Sequence, residues 1–173
     1  MNDDEVTSDG PLPAETDARR MARALVQARE AAEAGEVPVG AVIYHGARLV
    51  AQAANSVERL KDPTAHAEIL AITQAAAALG DWRLLGTTLY VTKEPCPMCA
   101  GAIVLARIPR VVWGADDPER GGARSHFGIL SSPVLNHRPE LTRGVCEAEC
   151  RDLLLAFFRE RRRERRAEPG AGD

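Results

Sequence analysis

Two short stretches, HAE at 66–68 and PCPMC at 95–99, constrain this chain more than anything else in it. Cys96 and Cys99 are three residues apart, so on a helix both thiols share one face. On the first turn they also sit where a helix N-terminus favours thiolates, the form that binds metal. His66 occupies the corresponding place on a second predicted helix. A fold that uses these residues together must bring two helices to one point beside a sheet. One nitrogen and two sulfurs form a donor set that suits zinc.

Other uses of the same residues compete with that reading. A closed structural zinc site needs a fourth protein ligand, for which Cys146, Cys150, His126 and His137 are the candidates. A redox CxxC follows a strand in a thioredoxin-like fold; the strand is present here, but the other features are not. His66 alone would be an ordinary core histidine. The two-part pattern H-x-E … P-C-x-x-C is more specific than any of these. Three ligands leave a coordination position for water, whose pKa zinc lowers toward 7. Glu68 lies beside the site without being needed as a ligand, and suits a general base that then acts as acid. This is the signature of zinc nucleobase deaminases.

The rest of the chain fits one domain. It has 173 residues, 45% of them hydrophobic, which suffices for a core. No apolar run reaches the length of a membrane span. The first ten residues, MNDDEVTSDG, lack the layout of a signal peptide, so a cytoplasmic, reducing location is expected. There, cysteines serve as ligands or small buried groups rather than disulfides. Residues 1–17 carry six acids and no base, while residues 159–173 carry six arginines and four acids. The expected division is a disordered acidic arm over 1–16, the zinc-dependent deaminase domain over 17–162 and a flexible tail over 163–173.

Periodicity and punctuation predict the elements. A helix runs from Thr16 or Asp17 to Ala34, capped by an acidic or hydroxyl residue and stopped by Gly35. VGAVIY and RLVAQAAN read as a hairpin turning at HG. A second helix opens near Pro63 and ends at Gly80, TTLYVT is a buried strand, and Cys96 opens a third helix. RVVWGA is another strand, residues 116–144 form a long irregular arm, and a helix ends the chain. The order implies a mixed sheet covered by helices, with helical crossovers between parallel strands.

The residues from about Ala18 to Arg162 resemble the bacterial tRNA-specific adenosine deaminases, wobble-editing members of the cytidine deaminase-like superfamily. Beyond the metal motif, the resemblance lies in GEVPVGAV (35–42), DPTAHAEI (62–69), TLYVTKEPCPMCAGA (88–102), RIPRVVWGA (107–115), NHRPEL (136–141) and FFRERR (157–162). It implies a three-layer α/β/α sandwich with a mixed five-stranded sheet. It also implies a homodimer with one zinc per subunit, and conversion of adenosine to inosine at the first anticodon position of arginine tRNA. By the matching motifs, His66, Cys96 and Cys99 would hold zinc and Glu68 would shuttle the proton. Asn55 would touch the flipped nucleotide, and the backbone of Ala67 with an apolar wall at Val37 and Pro38 would hold the base. Arg159, Arg161 and Arg162 are expected either to meet loop phosphates or to be a solvated helix end. Phe157 and Phe158 read as core sooner than as a base-stacking platform, and Cys146 and Cys150 as small buried groups. Where the family usually has TGAAGS, this chain has RGGARSHFG at 120–128.

Overall fold

The computed structural model describes residues 14–167. The expected acidic arm up to residue 13, and residues 168–173 of the expected tail, lie outside the described residues. Helix α1 spans Ala14–Glu33 and is followed by strands β1 (Gly40–His45) and β2 (Arg48–Ala54). A single turn, α2 (Val57–Leu60), precedes α3 (Ala67–Leu79), β3 (Thr87–Lys93), α4 (Pro97–Leu105) and β4 (Arg110–Ala115). After a 3-10 turn come β5 (Glu140–Arg143) and α5 (Glu147–Ala167).

The five strands lie in the order β2-β1-β3-β4-β5. Strand β1 is antiparallel to both β2 and β3, while β3, β4 and β5 run parallel. Alternating residues divide the core into two layers. Ala41, Ile43, Leu89, Val91, Val111 and Trp113 pack under α3 and α4. Val42, Tyr44, Tyr90 and Val112 face the other way, against Met21, Ala24 and Leu25 of α1 and Cys150 and Leu154 of α5. The result is the three-layer sandwich with a mixed sheet. Among the described residues no helix is long and apolar enough to cross a membrane.

Three local expectations are corrected. The helix after the hairpin begins at Ala67, not near Pro63, because Asp62 binds the backbone N–H and hydroxyl of Thr64 and closes a turn first. The stretch 116–144 is not all irregular arm, since Glu140–Arg143 pairs in parallel with β4. That strand is a short, half-exposed edge with no buried face, so it lacks the alternation that marks a strand. Asp17 does not cap α1, which has already begun at Ala14.

Asp17 is instead a buried ion-pair partner. Both terminal nitrogens of Arg110 donate to its two oxygens, at 2.9 and 2.8 Å, and the Tyr90 hydroxyl donates at 2.8 Å. Arg110 also reaches Thr142 and Glu140, so one cluster ties α1 to β3, β4 and β5. Burial pushes the Asp17 carboxyl up, but the bonds from Arg110 and Tyr90 outweigh it and hold the group below its ordinary 3.8. A depressed carboxylate stabilises the fold fully above its ordinary pKa, and that stabilisation is lost as pH falls through the lower folded value. Asp17→Asn is expected to cost about 2 kcal/mol at pH 7, the worth of a charge-assisted hydrogen bond. It should also flatten the loss of stability below pH 4. Denaturant unfolding of both proteins across pH 2–7 checks this, and equal stability at pH 7 would contradict it.

Candidate metal centre and cleft

Strand β1 runs opposite to β2 and β3, so the carboxyl ends of β2 and β3 lie at one edge of the sheet. The chain leaves β2 toward α3 and leaves β3 toward α4, and both helices pack on the same face. Their first turns therefore meet. His66 is the N-cap of α3 and Cys96 the N-cap of α4, both with extended backbone. N-caps are usually Ser, Thr, Asp or Asn, whose side chains bond the helix N–H groups. Here neither side chain caps its own helix. Each turns to the other: the His66 Nδ1 lies 3.6 Å from the Sγ of Cys96 and 3.6 Å from the Sγ of Cys99.

The three donor atoms all lie within 4.8 Å of one another. The thiol pair shares its protons unequally. A hydrogen bond from Cys99, working against burial and joined by His66, draws the Cys96 thiol down to about 4. The same bond, with burial, pushes Cys99 up. Hydrogen bonding to Cys96 raises His66 against its own burial. One imidazole and two sulfurs at this spacing fit a divalent soft-to-borderline cation such as zinc. The other two cysteines lie apart from this cluster. Cys150 is buried, with its Sγ where a Cβ on Gly114 would fall, and Cys146 is half-buried ahead of α5. All four are free thiols.

Glu68 sits in the first turn of α3, two residues from His66, and is 3% exposed. Burial raises its carboxyl above the ordinary range, with its own backbone N–H opposing. His66, Glu68 and Cys96 line a cleft of about 1190 Å³ that also takes in Val37, Val39, Asn55, Phe157 and Arg161. The cleft thus lies at the carboxyl edge of the sheet, where ligands of open α/β sheets bind.

A family model for the MafB19-like deaminases matches residues 15–162. The chain belongs to that family. It is 48% identical to a tRNA-specific adenosine deaminase of Bacillus subtilis (strain 168), over 85% of this chain and 91% of the relative. Its fold is similar to that of a structure from work on A-to-I editing by tRNA:A34 deaminases at the wobble position of transfer RNA. That match has 46% identity and a TM-score of 0.76, covering 79% of this chain and 99% of the other. A guanine deaminase from Bacillus subtilis matches at 41% identity and a TM-score of 0.55, covering 61% of this chain and 66% of the other.

Within this deaminase, the residues singled out by sequence distribute unevenly. Val37 and Asn55 line the cleft, and the Asn55 N–H is tied to the Val39 carbonyl at 2.9 Å. Pro38 and Ala67 are buried and are not on the lining, whereas Val39 is, along with Val37. Of the three arginines, Arg161 lines the cleft, while Arg159 and Arg162 are exposed outside the lining. Phe157 and Phe158 are not core: they line the cleft edge-to-face, and Phe158 is 42% exposed. The spacing of four between Phe157, Arg161 and Arg165 could have revealed this shared face. Sequence reasoning also missed Lys93, Glu36, Glu94 and Asp117, all on the lining. Nothing in their spacing distinguishes them.

Proposed function

We propose that this chain is a zinc-dependent tRNA adenosine deaminase that makes inosine at the wobble position, with arginine tRNA as its substrate. The observation that carries this reading is the buried Glu68 in a cleft lined by His66 and Cys96, which cluster with Cys99 as one donor set. The similarity to a tRNA-specific adenosine deaminase over 85% of the chain supports the choice of adenosine in tRNA. His66, Cys96 and Cys99 would hold one zinc per subunit. When bound, zinc lowers the pKa of a water toward 7 and so supplies hydroxide at neutral pH. Water adds at C6 of the adenine, the C6–N6 bond breaks, and the amino group leaves as ammonia. Glu68 carries the proton from the water to the base, a task that suits a carboxyl raised by burial.

The cleft walls fit an extruded nucleotide. Val37 and Val39 offer an apolar surface, Pro38 is buried between them in sequence and Ala67 between His66 and Glu68, and the Asn55 amide offers both a donor and an acceptor. Arg161 would meet a loop phosphate, with Arg159 and Arg162 nearby on the same helix. An anticodon loop suits such a site because its bases are already partly unstacked, so extrusion costs about a few kcal/mol. A tRNA substrate also agrees with a cytoplasmic enzyme.

A homodimer belongs to this reading, and α4 supports it. The helix PMCAGAIVL contains no polar residue. Its inner face buries Cys99, Ala100, Ile103 and Val104, yet Met98, Gly101, Ala102 and Leu105 form a second apolar stripe facing outward. A helix apolar on every side is normally covered on every side. Leu105 is 72% exposed here and Trp82, beside it in a groove between α3 and α4, is 61% exposed. Leu105→Glu is expected to turn a dimer into a folded monomer, as read by light scattering. A variant that remains dimeric would contradict this interface.

Activity is tested by incubating zinc-loaded protein with an arginine anticodon stem-loop and reading inosine at the wobble position. Glu68→Gln should keep its zinc and lose turnover by about 10²–10⁴-fold. No inosine from the folded, zinc-loaded protein, or deamination of free guanine in its place, would overturn the proposal. Loss of zinc in Glu68→Gln would make Glu68 a ligand instead of a proton shuttle.

A further inference from the structure

We infer that Glu94 is a positioning residue that sets substrate affinity by holding the segment 117–125 as one wall of the cleft. The inference rests on the RNA-deaminase reading above. Glu94 is 2% exposed, two residues before Cys96, and belongs to neither α4 nor the donor set. Its two oxygens are spent on the arm. Oε2 accepts the Asp117 N–H at 2.9 Å, and Oε1 accepts those of Arg124 and Ser125 at 2.8 Å each. Between these points the arm follows the metal turn closely: the N–H groups of Gly122 and Ala123 bond the Pro95 carbonyl at 2.8 and 3.2 Å. The approach leaves no room for a side chain. A Cβ on Gly121 would lie 2.5 Å from Glu94 Cδ, and one on Gly122 would lie 2.4 Å from the Cys96 carbonyl carbon.

The part of the arm so held presents Asp117, Glu119 and Arg120 to the cleft. Asp117 is also paired with Lys93, at the end of β3. Every bond to Glu94 is made by a backbone N–H, so the side chains of Asp117, Arg124 and Ser125 are not needed to make it. Glu94 thus acts on substrate through the arm and not on the reacting atoms. Its removal should weaken binding of the RNA and leave the chemical step in place.

Glu94→Gln separates these effects. Its carbonyl can still accept from Arg124 and Ser125, but its NH₂ then faces the Asp117 N–H, donor against donor. The KM for the anticodon stem-loop is expected to rise by about tenfold or more, the loss of one charge-assisted hydrogen bond. The kcat should stay within about threefold, since uniform binding is what is lost. One zinc per chain should be kept, and hydrogen exchange should quicken at Asp117 while amides of β3 and β4 stay protected. Gly121→Ala, which pushes the arm off Glu94 from the other side, should give the same pattern. An unchanged KM, a fall in kcat at constant KM, or exchange that quickens equally through β3 and β4 would overturn the inference. So would failure of both variants to fold, which would assign Glu94 to stability alone. If the unaltered protein makes no inosine, the RNA reading fails and takes this inference with it; editing by wild type with an unchanged KM in both variants sinks this inference alone.

Discussion

The site depends on two helix N-termini meeting at one point. Strand β1 lies between β2 and β3 and opposes both, so the helices that follow β2 and β3 start from the same edge. They pack on the same face of the sheet, which brings the N-cap of α3 to the N-cap of α4. Those two positions carry His66 and Cys96, whose side chains leave their own helices uncapped and turn to each other. The cost of two missing caps, about 1 kcal/mol each, is small against the binding of a structural-type zinc ion, about 10 kcal/mol or more.

The walls of the cleft are held by backbone groups and buried carboxylates. Glu36 accepts the N–H groups of Glu58 and Arg59, at 3.1 and 2.7 Å, and so fixes α2 on one side. Glu94 does the same for the arm on the other. Many acids line the cleft, and four of them have partners within the protein. Glu36 and Glu94 are satisfied by backbone donors, Asp117 by Lys93, and Glu164 by Arg161. Arg161 also donates to the Gly35 carbonyl at 2.5 Å and lies 5.3 Å over the Phe157 ring, which seats α5 on the turn after α1.

Much of this was legible in the chain itself. Short runs of apolar and β-branched residues in VGAVIY, TTLYVT and RVVWGA mark strands because both faces of each are covered. The donor set was legible because metal chemistry demands particular atoms at particular spacings. What escaped notice lacks a local signature. Strand β5 is four residues at an exposed edge and is defined by its partner β4. Asp17 looks like a helix cap by type and position, and only the distant Arg110 and Tyr90 give it its role. Glu94 sits beside a proline and two cysteines that draw the eye, yet its partners are 23 to 31 residues away. Phe157 and Phe158 match a core by composition, and their place on the cleft follows from how α5 crosses the sheet.

The central claim is that His66, Cys96 and Cys99 alone supply the protein ligands to one ion. X-ray absorption at the zinc edge of the purified, zinc-loaded protein tests it most directly. The account predicts two sulfurs at about 2.3 Å and two lighter atoms at about 2.0–2.1 Å, one of them with the outer-shell scattering of an imidazole. Three or four sulfurs, which would recruit Cys146 or Cys150 and close the site, would contradict it.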